Sequence, residues 1–157
     1  MVSEYERLEQ FAFDNDILLL TGRLPGLSGF YYLNMEYGIK SITLNTALDT
    51  TAKRISVLAE ELEHYISTPE DLFAAPKEIR DKYERIARFA AIQRLIPFDK
   101  LIKCRALCDI YELADYLDIT PEFLMSGLLA YKEHYGRSVS YMDFTINFDP
   151  FYIEKAC

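Results

Sequence analysis

The spacing of apolar residues changes once along the chain, near Asn45, and this change limits the possible fold more than any other feature. Before it, residues 17–20, 30–34 and 39–44 are short runs rich in aromatic, aliphatic and β-branched residues, which is typical of strands. After it, apolar residues recur every three or four positions, which predicts amphipathic helices. The sequence therefore predicts an α+β fold, with a small N-terminal sheet packed on a long helix and a helical C-terminal half.

Prolines and capping residues indicate where the helices begin and end. The first long helix carries one apolar stripe, which runs from Ile55 to Ile66, and Pro69 should end it. A second long helix is expected between Pro76 and Pro97. Shorter helices should follow up to about residue 135, and the weak alternation after that predicts an extended tail.

Charge and hydropathy exclude several classes of protein. The 157 residues include 17 Lys and Arg against 25 Asp and Glu, so the net charge is −8 and direct binding to nucleic acid is not expected. The longest apolar run, residues 17–20, is far shorter than the ~20 residues that span a bilayer. We see no secretory signal, and three cysteines make no disulfide framework. These features predict a cytoplasmic protein without a membrane segment.

The string Glu-Glu-Leu-Glu-His at positions 60–64 is the segment most informative about chemistry. Residues four apart lie on one face of a helix, so Glu60 and His64 can both reach one metal ion. Glu61 is then placed to hold a water on that ion as a general base. This is the geometry of the H-E-x-x-H zinc peptidases, with Glu in place of the first His. For the string alone, the other interpretation is a solvated acidic helix face.

Further stretches of the chain place this string in a family context. They are residues 42–45, 50–52, 57–65, 82–91, 95–97, 111–117 and 120–124, followed by Tyr131, Tyr135 and Gly136. In this order and spacing, they resemble the ImmA/IrrE family of zinc-dependent metallo-endopeptidases. The resemblance is to the phage and mobile-element branch in particular, and it covers most of residues 5–136.

The resemblance implies both an architecture and a substrate. It implies one domain over residues 1–157, made of a metallopeptidase-like core (1–96), a helical C-terminal subdomain (97–136) and an extended tail (137–157). Within the core, a small sheet would pack on a zincin-type active-site helix. The implied activity is cleavage of a helix-turn-helix repressor of the Xre type, encoded beside the peptidase. The partner would thus be a protein, with no direct contact to nucleic acid or membrane.

The resemblance also implies a site, from which this sequence departs at two positions. Glu60 and His64 would hold the metal, and Glu61 would be the catalytic base. Counting back from Pro97, with Ala87 matched to an alanine of the family motif, puts the third ligand at Ile86. Isoleucine cannot bind a metal, so Glu84 is the candidate third ligand. Zn²⁺ is the simplest cofactor, although a carboxylate-rich set also suits Mn²⁺ or Mg²⁺.

The second departure is Glu63, where the family motif has Gly. The two departures together favour another hypothesis, a catalytically inactive relative. Such a protein would bind a repressor or another protein partner without metal. Retention of both Glu61 and His64 opposes that hypothesis.

Overall fold

The computed structural model describes residues 1–69, 72–107 and 109–157, and it confirms the α+β class. The helices are α1 (Glu4–Asp14), α2 (Thr51–Ser67), α3 (Lys77–Leu95), α4 (Phe98–Lys103), α5 (Ile110–Tyr116) and α6 (Pro121–Tyr135), with a 3₁₀ turn at Leu72–Ala74. The strands are β1 (Ile17–Gly22), β2 (Gly29–Asn34), β3 (Ile39–Asn45), β4 (Ser138–Tyr141), β5 (Phe144–Phe148) and β6 (Phe151–Lys155). The chain divides into two compact units, Met1–Ala91 and Ile92–Cys157. In the described ranges, no helix is long and apolar enough to cross a membrane.

The first unit is built around a three-stranded sheet in the order β1-β3-β2. Strand β1 runs parallel to β3, whereas β2 and β3 form the predicted antiparallel hairpin. One face of this sheet packs on α2, which contacts both β2 and β3. Ile42 of β3 and Leu58 and Leu62 of α2 are completely buried, and each contributes roughly 1.5–3 kcal/mol through removal of apolar surface from water. The prediction of a small sheet packed on the long helix is confirmed.

Helix α2 begins and ends where its local sequence requires. The Thr50 side chain accepts a hydrogen bond from the Lys53 N–H and caps the first turn. The helix ends at Ser67, two residues before Pro69, because the residue preceding a proline is driven out of the helical region. Its apolar stripe is thereby fixed against the sheet, and the 60–64 string is held on the flank of a rigid element.

The second unit combines helices with a second antiparallel sheet, β4-β5-β6. Thr120 caps the start of α6, and the helix ends at Tyr135. The next residue is Gly136, whose φ of 88° favours glycine. The buried Tyr131 hydroxyl donates a hydrogen bond of 2.9 Å to the Ile96 carbonyl. Residues 137–157, for which the sequence predicts an extended tail, pair with one another. Ile146 of β5 is completely buried, so this weakly alternating segment has enough inward-facing apolar surface to form a sheet.

Candidate metal and catalytic site

The structure brings His64 of α2 next to Glu84 of α3. The distance from His64 Nε2 to Glu84 Oε2 is 3.4 Å, and the His64 side chain is 19% exposed against 65% for Glu84. The contact joins two residues that are 20 positions apart in the sequence. It depends on how α3 lies beside α2, which the sequence pattern does not specify. Ile86, the position obtained by counting back, is 41% exposed and offers no ligand atom.

The His64–Glu84 separation fits two ligands of one metal ion. It is longer than an ordinary N–H···O hydrogen bond, whose range is about 2.7–3.2 Å. Two tetrahedral zinc ligands with bonds of about 2.0–2.1 Å stand about 3.3 Å apart, which is close to the distance observed here. Within the described parts of the chain, no group of three or more His, Cys, Asp or Glu residues is arranged to hold a metal ion. The spacing of these two donors therefore fits a divalent ion, and among the described residues no third donor is assembled with them.

Glu60, the other predicted ligand, lies in a partly buried and electrostatically mixed environment. Burial raises the pKa of its carboxyl group and is the largest effect. The positive charge of Arg88 on α3 lowers that pKa, whereas the Glu84 carboxylate raises it. Glu60 is therefore close enough to both α3 side chains for their charges to change its pKa. Arg88 places a positive charge near this carboxyl group, as a bound metal ion would.

Glu61, the predicted base, has an environment suited to proton transfer near neutral pH. Burial raises the pKa of Glu61 from 4.5 to about 7, and the charges of Glu60 and Glu84 act in the same direction. A hydrogen bond from the backbone N–H of Tyr31 opposes them and lowers the pKa. A carboxyl group with a pKa close to the ambient pH can both accept and return a proton, which general acid–base catalysis requires.

The N–H group that holds Glu61 lies on the edge of β2 that faces away from β3. The Asn45 N–H donates to the Ser28 carbonyl, which sets the alternation of hydrogen bonds between β2 and β3. In an antiparallel pair every second residue directs its backbone groups away from its neighbour, and by this count Tyr31 is such a residue. Its N–H is thus available to the Glu61 carboxylate. The structure places the predicted base against a sheet edge, and the sequence analysis did not anticipate this.

Gly29 is a second residue that the sequence analysis missed. A Cβ atom at this position would lie 2.6 Å from Val57 Cγ1, a distance that real Cβ atoms essentially never show. It would also lie 3.0 Å from Glu61 Cγ, which is tighter than nine in ten real Cβ contacts. Glycine therefore lets β2 lie directly against α2 beside Glu61. The available signal was a glycine at the start of a strand otherwise rich in aromatic residues, since such a glycine often marks a close backbone approach.

The burial of the string argues against a solvated acidic face. Glu63 is 5% exposed, and Glu60 and Glu61 are partly buried. Charged side chains are seldom buried to this extent unless they are paired or functional. The interpretation as a fully solvated helix face is therefore wrong.

Comparisons with known proteins do not extend this picture. No protein-family model matches the chain, and no curated protein matches it significantly. Membership of the ImmA/IrrE family accordingly stays a prediction, carried by the motifs of the sequence.

Proposed function

We propose that this chain is a metal-dependent endopeptidase similar to the ImmA/IrrE family, acting in the cytoplasm on a helix-turn-helix repressor of the Xre type. A phage or mobile element is the expected genetic setting. One observation carries the proposal: two potential ligands, His64 and Glu84, lie 3.4 Å apart beside Glu61, a partly buried carboxyl group with a raised pKa. Metal donors next to a proton acceptor are the parts that peptide hydrolysis needs.

The chain's own residues have distinct tasks in this mechanism. His64 and Glu84 would hold a divalent ion, with Glu60 as the remaining candidate ligand. Such an ion, when bound, polarises a peptide carbonyl and makes water more acidic. Glu61 accepts the proton of the attacking water and returns it to the departing amine nitrogen, which leaves the carboxylate ready for the next cycle. The Tyr31 N–H orients Glu61 throughout.

The same sheet edge supports a peptide as the substrate class. The same alternation of hydrogen bonds between β2 and β3 directs the backbone groups of Gly29 and Leu33 away from β3, as it does those of Tyr31. An extended peptide can form hydrogen bonds with such groups and add to the sheet. A peptide bound there would pass close to Glu61, so its scissile bond would be near the proposed base.

The proposal is tested with purified protein, added Zn²⁺ or Mn²⁺, and the Xre-type repressor encoded nearest to this chain's gene. We expect metal-dependent cleavage that Glu61→Gln reduces at least 100-fold, since general base catalysis typically contributes about 10²–10⁴-fold. Glu36→Gln, in the exposed turn between β2 and β3, removes the same charge away from the site and should leave the rate unchanged. Cleavage that persists undiminished in Glu61→Gln contradicts the mechanism.

A second candidate function is that of an inactive relative that binds a protein partner without metal. It is favoured by the charge of Arg88 next to Glu60, and by the lack of three assembled donors in the described ranges. This candidate predicts repressor binding that neither chelator nor His64→Ala changes, together with no cleavage under any metal condition. The peptidase hypothesis predicts that chelator and His64→Ala both change repressor binding. It also predicts cleavage of the repressor when metal is present.

A further inference from the structure

Strand β1 lies at one end of the sheet, so one of its edges faces away from β3. The Thr46 N–H donates to the Gly22 carbonyl. In a parallel pair, every second residue of a strand forms hydrogen bonds with its neighbour. Gly22, Leu20 and Leu18 therefore bond to β3. The amide and carbonyl groups of Leu19 and Thr21 therefore point away from β3. In the described part of the chain, no strand pairs with β1 on this side.

A groove of about 550 Å³ runs beside this edge. It is lined by one face of α1 and the first half of β1, namely Glu6, Glu9, Gln10, Phe13, Ile17, Leu18 and Leu19. Phe13 is 76% exposed and Leu18 is 54% exposed, so large apolar side chains face water here. An open strand edge flanked by exposed apolar groups is a template for another extended segment.

The helical side of the groove is acidic. Two of the described lining residues, Glu6 and Glu9, are acidic, and none of them is basic. The surrounding residues 4–16 carry five acidic side chains and one basic side chain, which gives this segment a net charge of −4. A second copy of the chain would bring the same acidic segment and a total charge of −8 to the contact. Like charges placed across an interface oppose association, whereas a basic partner is attracted. Charge complementarity therefore favours a basic partner over self-association.

We propose that the groove between α1 and β1 binds an extended basic segment of a partner protein, which joins the sheet as a strand beside β1. Backbone groups at Leu19 and Thr21 pair with the segment, apolar side chains contact Phe13 and Leu18, and Lys or Arg side chains meet Glu9. The six residues of β1 span about 20 Å at about 3.3 Å per residue, which suits a segment of about six residues. This site is independent of the proposed peptidase activity.

The probe is an acetylated hexapeptide amide of alternating Val and Lys, titrated into the full chain at low salt. Backbone amide NMR should show shifts at Leu19 and Thr21, and their hydrogen exchange should slow at least five-fold. A fully N-methylated version has no backbone N–H to donate to the carbonyl groups of Leu19 and Thr21, and it should bind at least ten-fold more weakly. A Val and Glu version should bind at least ten-fold more weakly, because its charges oppose those of α1.

The matched variants are Glu9→Lys and Glu36→Lys, which change the net charge equally. Glu9→Lys should weaken binding of the basic peptide at least five-fold, whereas Glu36→Lys, outside the groove, should weaken it less than two-fold. The proposal is overturned if the two variants weaken binding equally. It is also overturned if the NMR shifts place the peptide at the β2 edge, or if no binding occurs at millimolar peptide. Self-association of the chain with slow exchange at Leu19, in the absence of peptide, also overturns it in favour of a second copy.

Discussion

Replacement of Glu61 by Gln should stabilise the metal-free protein, and the gain should depend on pH. Each pKa unit corresponds to about 1.36 kcal/mol, so the rise from 4.5 to about 7 sets an upper limit of about 3 kcal/mol. Because the side chain is partly exposed, we expect about 1–2 kcal/mol. Between these two pKa values the native carboxyl group keeps a proton that the unfolded chain has released. Wild-type stability therefore falls as pH rises through this window, whereas Gln has no proton to lose.

The assay is urea denaturation of both proteins in the presence of chelator at pH 4, 5, 6, 7 and 8. The advantage of Glu61→Gln should be close to zero at pH 4, grow up to about pH 7, and then level off. Glu36→Gln, at an exposed position, should stay within about 0.5 kcal/mol of wild type throughout. A Glu61→Gln advantage that does not change with pH would refute the argument that burial of this carboxyl group opposes its ionisation.

Three further predictions concern the packing of the interior and one buried hydrogen bond. Gly29→Ala should destabilise the fold by about 1–3 kcal/mol because its Cβ overlaps Val57, whereas Gly22→Ala, whose Cβ meets Thr43 at an ordinary 3.4 Å, should cost less than about 1 kcal/mol in the same urea assay. Tyr131→Phe should lower the free energy of unfolding by about 1–2 kcal/mol, as measured by calorimetry, because the buried Ile96 carbonyl loses its hydrogen bond. An unchanged free energy of unfolding would contradict that contact. Leu62→Ala should cost about 2–5 kcal/mol, since Leu62 is completely buried between α2 and the sheet, and a cost below 1 kcal/mol would contradict that packing.

The architecture was largely predictable because its causes are local. The apolar stripe of α2, the Thr120 cap and the stop before Pro69 each act within one or two helical turns. The sheet of residues 137–157 escaped prediction, since its strands are short and their pairing depends on one another rather than on a strong alternation in any of them.

The candidate site was predictable only where one helix carries it. Spacing alone placed Glu60, Glu61 and His64 on α2. The contact of His64 with Glu84 depends on the rotation of α3 about its axis, which tertiary packing sets. The Tyr31 N–H is a backbone donor that no residue type reveals, so sequence patterns could not identify the group that holds Glu61.

Metal binding by isothermal titration tests the central claim most directly. We predict that wild-type protein binds about one equivalent of Zn²⁺ or Mn²⁺, and that His64→Ala and Glu84→Gln each weaken this binding at least ten-fold. His134→Ala, which removes the chain's other histidine, should bind as tightly as wild type. If wild-type protein takes up no metal, or if His64→Ala binds as tightly as wild type, the site assigned to α2 and α3 is not a metal site.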